Sequence, residues 1–176
     1  LDRAELLDAL RALARVLNAN GTAAGIQIVG GAALALEYFE RAATRDVDAF
    51  LYPAEPVLQA AKQVASERGY PQDWVNDAVK MYAPDYGDPQ WKPVLVEGDV
   101  VFSVAPADLL LAMKLRAGRG RRDAGDIAHL LELCSVRSIE HAIEIFETYY
   151  PHDPVSARAL IQLRRRFPDD SQESVT

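Results

Sequence analysis

A single cysteine, Cys134, is present in 176 residues, so no internal disulfide staples the fold and a reducing compartment suits the chain. No apolar run approaches the roughly 20 residues of a bilayer-spanning helix, and no basic stretch followed by an apolar one opens the sequence. The expectation is a cytoplasmic protein without a membrane partner. Internal repeats and low-complexity tracts are also lacking. Histidine is scarce: His129, His141 and His152 have no metal-ligand spacing and read as surface or helix-packing residues. No Ser-His-Asp or Cys-His set can be assembled, which argues against nucleophilic hydrolysis. Cations are in deficit, with 19 Lys+Arg against 26 Asp+Glu, a net charge of −7 and a pI near 5.0. That balance excludes a protein coating nucleic acid over its whole surface.

What is present is an ordinary globular balance, 49% hydrophobic and 26% charged, long enough to bury a sizeable core. Leu6, Leu7, Leu10, Leu13, Ala14 and Leu17 predict an amphipathic helix over 4–18, capped by Asp2 and ended by Gly21. Residues 26–29 read as a short buried strand stopped by Gly30-Gly31, and 32–39 as a helix starting at the diglycine. Residues 45–51 alternate, with Val47, Ala49 and Leu51 on one face and Asp46, Asp48 and Phe50 on the other. A helix over 54–68 closes at Gly69. Between Tyr70 and Pro93 the pattern is irregular, with a short helix expected over 73–82. Residues 94–96 and 100–104 flank a Glu97-Gly98-Asp99 hairpin turn. Helices are then expected over 106–117, 123–133, 138–149 and 153–167, the last capped by Asp153 with Pro154 at its first position. The tail after Pro168 is short and polar, and fraying is expected there.

Three features carry chemistry. Gly30-Gly31 joins a strand to a helix, where unpaired amides and the dipole favour an anion, though glycine also ends strands for steric reasons. Asp46 and Asp48 place two hard oxygen ligands side by side, as magnesium requires when it also holds phosphates. A solvated strand face is the bland alternative, weakened because adjacent carboxylates repel and strands disfavour Asp. The 14 residues between Gly31 and Asp46 suffice for a helix and a return that brings the pair beside the diglycine. In the third segment, Lys114 is the only charge between Leu109 and Leu115, so it either snorkels or meets an anion. Asp123, Asp126, Ile127, Leu130, Leu131 and Cys134 follow a buried helical stripe whose first two positions are acids. The bland alternative makes Asp123 the N-cap of this helix and lets Asp126 favour the dipole in its first turn, and Cys134 reads as core.

Val29-Gly30-Gly31-Ala32, followed by Arg41-x-x-Thr44-x-Asp46-Val47-Asp48, resembles the DNA polymerase β-like nucleotidyltransferases. Pro106-Ala107-Asp108-Leu109-Leu110, Lys114-Leu115 and Arg122-Asp123-x-x-Asp126-Ile127 resemble the C-terminal motif of the AbiEii and MenT group, nucleotidyltransferase-like toxins of toxin–antitoxin systems, and their uncharacterised relatives. Trp74-Val75-Asn76-Asp77-Ala78 is similar to a stretch in one uncharacterised branch. The resemblance covers roughly residues 26 to 133. It implies that Gly30, Gly31, Thr44, Arg45 and Arg122 contact the nucleotide and that Asp46 and Asp48 hold Mg2+. It also implies that Lys114 and Asp126 belong to the catalytic centre. These enzymes commonly add a third carboxylate on a later strand; the candidates here, Glu97, Asp99, Asp85 and Asp88, all sit in turns or loops.

The fold expected is α/β (α+β): a small nucleotidyltransferase-type mixed sheet with helices on one face over 1–105, plus a helical region over 106–167 packed on it and a frayed tail over 168–176. The function implied is metal-dependent transfer of a nucleoside monophosphate from an NTP to a hydroxyl acceptor, on RNA, tRNA or protein, with an antitoxin as a partner. The alternative is a nucleotide- or partner-binding module of the same fold that has lost catalysis. Lys114, Arg116, Arg119, Arg121 and Arg122 concentrate five cations in nine residues, either a solvated turn or a patch for a triphosphate or RNA backbone. Arg164-Arg165-Arg166 reads as a solvated helix end.

Overall fold

The computed structural model describes residues 1–38, 44–118 and 123–168. The expectations for Arg41, Arg119, Arg121, Arg122 and the tail from 169 lie outside the described residues. The chain divides into two compact units, Leu1–Ala83 with Gln90–Ala105, and Pro84–Pro89 with Pro106–Thr176.

The first unit is a five-stranded mixed sheet with helices. Helix α1 (Arg3–Ala19) begins at a capping box in which Asp2 and Glu5 satisfy each other's backbone amides. It buries Leu6, Leu10, Leu13 and Leu17, each leucine contributing about 1.5–3 kcal/mol of burial. Strand β1 (Ala24–Ile28) leads into α2 (Gly30–Ala33), which widens without a break into a π-helical turn over Leu34–Tyr38. Strand β2 (Val47–Tyr52), α3 (Ala54–Arg68), β3 (Val75–Asn76), β4 (Lys92–Glu97) and β5 (Val100–Val104) complete the unit. The sheet order is β3-β2-β1-β5-β4. β1 runs antiparallel to β2 and parallel to β5.

Register explains where the core sits. Ile26 faces Leu51 and Phe102, and Ile28 faces Ala49 and Val104, so these six share one sheet face. All six are buried, together with Val57, Ala61 and Val64 of α3. The alternate positions, Gln27, Asp48 and Ser103, point to the opposite face and are only half-buried. Asn18, near the end of α1, clamps the β4–β5 turn, its side chain donating to the Glu97 carbonyl oxygen and accepting from the Asp99 amide.

Two local expectations change. Over 73–82 the structure places β3 and a 3-10 turn (Ala78–Tyr82) instead of one helix. Trp74 is the cause: only 1% exposed, it donates its indole N–H to the Ala61 carbonyl oxygen at 2.8 Å and packs on Tyr70. That anchor extends Val75 alongside Val47, and the Asn76 side chain then accepts the Ala78 amide and starts the turn. Strand β4 also begins earlier than expected, at Lys92, because an edge strand tolerates Pro93.

The second unit consists of α4 (Ala107–Ala117), α5 (Ala124–Leu133), α6 (Ile139–Tyr149) and α7 (Ala157–Arg166). Leu109, Leu110, Leu130, Leu131, Phe146 and Leu163 are buried in it. The cap expected at Asp153 is corrected. Helix α7 starts three residues later, with Ser156 accepting from the Ala159 amide, and the Asp153 carboxylate meets Arg116 at 2.7 Å. Ser156 also donates to the Leu115 carbonyl oxygen at 3.0 Å, a long-range bond that fixes the helix start.

Candidate functional site

Helix α2 begins just after β1 with no side chain capping it. Val29 occupies the cap position and no side chain bonds to the first amides. The N–H groups of Gly30, Gly31 and Ala32 have no acceptor four residues back. None of the described residues accepts from them. Gly30 takes φ +62°, the left-handed region that glycine adopts without strain.

Asp48 stands beside this turn. The Val29 amide donates to the Asp48 carbonyl oxygen at 2.9 Å, locking the two segments together. The Asp48 carboxylate reaches over the turn: Oδ2 lies 3.2 Å from the point a Cβ on Gly30 would occupy. No hydrogen bond or ion pair is made to this carboxylate among the described residues. Asp46 precedes β2 rather than lying in it, and is exposed, as is Arg45. Thr44 is buried and donates its hydroxyl to the Asp46 carbonyl oxygen at 3.0 Å, shaping the approach to the strand. The tyrosine ending the π-helical turn, Tyr38, donates to the Ala105 carbonyl oxygen at 2.7 Å and ties this segment to the end of β5.

Asp46 and Asp48 fit magnesium in donor chemistry, being two hard carboxylates, and the missing side chain of Gly30 leaves the Asp48 carboxylate its place over the turn. No acid stands beside Asp48 in the described register: its partner on β3 is Asn76, and the next row of the same face holds Phe50, Gln27 and Ser103. Of the candidates, Glu97 pairs with Arg11 at 3.5 Å and Asp99 sits in the hairpin turn. Asp85 and Asp88 belong to the second unit. Among the described residues no three His, Cys, Asp or Glu side chains form a metal-holding group.

The second unit holds its own charged cluster. Lys114 on α4 donates to Asp123 Oδ1 at 2.6 Å and Asp126 Oδ2 at 2.9 Å. Asp123 is 2% exposed and Asp126 8%. Asp123 occupies the cap position of α5, yet its side chain caps nothing. Oδ2 of Asp123 is buried with no hydrogen-bond partner among the described residues. Asp123 is thus held by an ion pair instead of capping α5, while Asp126 shares that lysine from the first turn of the helix, where an acid also suits the dipole. Arg116 is likewise occupied, by Asp153 and by the Tyr150 ring 4.5 Å from its guanidinium carbon. Both described cations of the basic run therefore already face partners within their unit.

Elsewhere in this unit burial dominates titration. It pushes the Cys134 thiol up to about 11, with Asp108 adding to the shift. Burial, opposed by Arg116, pushes the Tyr150 hydroxyl up to about 12. Tyr149 is raised further still by burial and by its bond to Asp108 at 2.8 Å. Cys134 ends α5 half-buried rather than in the core.

One feature of the Asp48 face escaped the sequence. Phe50, two residues on, is 6% exposed and meets Trp91 edge-on, the ring centroids 6.1 Å apart. The parity Phe50 shares with Asp48 was the only signal.

Among curated proteins and solved structures, none matches the chain. A family described as a nucleotidyltransferase of unknown function (DUF6036) matches residues 4–166, from the first turn of α1 to the last of α7. The chain belongs to that nucleotidyltransferase family.

Proposed function

We propose that this protein transfers a nucleoside monophosphate from an NTP to a hydroxyl acceptor in a magnesium-dependent reaction. The observation that carries the reading is the juxtaposition of the unpaired Gly30–Ala32 amides with the Asp48 carboxylate at Gly30. The amides bind the triphosphate, and the left-handed glycine keeps the approach open. Asp46 and Asp48 hold the metal, which when bound screens phosphate charge and stabilises the charge developing on the transferred group. The acceptor oxygen bonds to the α-phosphorus, the bond to the bridging oxygen breaks, pyrophosphate leaves, and the acceptor proton passes to a base. Most of the acceleration is positioning and electrostatics.

The finer assignment, to the AbiEii and MenT group and so to the toxin of a toxin–antitoxin pair, rests on the Lys114 to Asp126 motif. That resemblance gives Lys114 and Asp126 catalytic roles, and it makes an RNA or tRNA the acceptor and an adjacent small protein the partner. A second reading, a nucleotide-binding module without catalysis, is favoured by the lack of a third acid among the described residues of the Asp48 face.

Incubation with labelled NTPs, magnesium and total RNA separates the readings. Label transfer by the wild type and not by Asp48→Ala supports the enzyme. Magnesium-dependent NTP binding without transfer to RNA or protein supports the module. Absence of magnesium–NTP binding overturns both.

A further inference from the structure

The face that carries Asp48 has more on it than a phosphate site needs. Phe50 lies one step along β2 on the same face, a displacement of about 7 Å. In register, Phe50 faces Gln27 of β1, Gln27 faces Ser103 of β5, and Ser103 faces Pro93 of β4. One row across the sheet thus reads aromatic, amide, hydroxyl, proline. Gln27 and Ser103 are half-buried, and neither side chain bonds to a described residue. Trp91 closes the row, its ring perpendicular to Phe50 at an interplanar angle of 83°.

The two tryptophans of the chain differ in kind. Trp74 is committed to the interior by its hydrogen bond to Ala61 and its contact with Tyr70. Trp91 is half-exposed, makes no hydrogen bond to a described residue, and touches Phe50 in an edge-on geometry. An edge-on pair leaves a π-face for a further partner. Phe50, on the same sheet face as Asp48, holds the indole, and the polar pair Gln27 and Ser103 continues the row from Phe50.

We infer that Trp91 is the stacking surface for the nucleobase of the substrate, with Gln27 and Ser103 hydrogen-bonding the sugar between that base and the phosphates at Gly30 and Asp48. This deepens the proposed function and rests on its placement of the triphosphate. Stacking accepts any base, so the row distinguishes nucleotides from bare polyphosphate more sharply than it distinguishes one base from another.

Trp91 supplies its own probe, since Trp74 is the only other indole. Wild type, Trp91→Leu and Trp91→Tyr are titrated with magnesium plus each of the four NTPs, and separately with magnesium plus inorganic tripolyphosphate. Calorimetry and tryptophan emission are read together, and circular dichroism confirms each fold. All three proteins are expected to bind tripolyphosphate alike. NTPs quench emission in the wild type, bind Trp91→Leu about tenfold or more weakly, and recover most of their affinity in Trp91→Tyr. NTP affinity equal in wild type and Trp91→Leu overturns the inference and leaves the phosphate site standing. Unquenched Trp91 emission on saturation with NTP overturns it too, even if Trp91→Leu fails to fold. If neither NTP nor tripolyphosphate binds the wild type, the proposed function fails and this inference with it.

Discussion

Oδ2 of Asp48 comes within 3.2 Å of the point where Gly30 would carry a Cβ. The glycine is required twice over, by that approach and by its φ of +62°. A residue with a side chain there both strains the backbone and displaces the carboxylate.

Gly30→Ala is therefore expected to lose about 1–2 kcal/mol of stability from the left-handed backbone, seen as a lower urea midpoint with an unchanged slope. Magnesium-dependent NTP binding should fall by an order of magnitude or more. Unchanged binding in a destabilised but folded variant would contradict the phosphate-cradle reading.

Asp48→Asn separates function from stability. The carboxylate makes no bond to a described residue, so stability should stay within about 0.5 kcal/mol of wild type. Calorimetric binding of magnesium–NTP should weaken at least tenfold. A large stability loss instead would mark Asp48 as a structural acid.

The Lys114 cluster predicts a strong non-additivity. Lys114→Met leaves Asp123 and Asp126 buried against each other and should cost about 3–5 kcal/mol. Adding Asp123→Asn and Asp126→Asn removes the stranded charges and should restore much of the loss. Thermal denaturation of the single and triple variants decides this, and an additive outcome would rule out the pairing.

Cys134 gives a pH test. Its thiol pKa is raised from 9.0 to about 11 by burial. Native-state alkylation at pH 8 should then run about 100-fold slower than for an unperturbed thiol, gaining about tenfold per pH unit until the thiol titrates. The sign for stability follows from the same shift. Below the unfolded pKa the contribution is complete, and it is lost as pH rises through the folded value near 11. Cys134→Ala should flatten that alkaline decline, as read from urea midpoints between pH 8 and pH 11.

Where local pattern suffices, the sequence determined the outcome. The leucine period sets α1, Gly69 ends α3 in the left-handed conformation, and the strand–diglycine–helix order places unpaired amides beside Asp48. Membership among the nucleotidyltransferases was legible too, because the glycine turn and the Asp-x-Asp pair are short sequence patterns. Tertiary structure decided the rest. Asp123 reads as a cap in sequence, yet a half-buried lysine nine residues away is the stronger partner for a carboxylate that is itself buried. Asp153 likewise left its helix start for Arg116. Trp74 drew Val75 into the sheet, and Trp91, just before β4, met Phe50 of β2. Periodicity records which way a residue faces within its own element. Which buried charge or ring it meets depends on desolvation and packing between distant segments, and only the folded chain sets those.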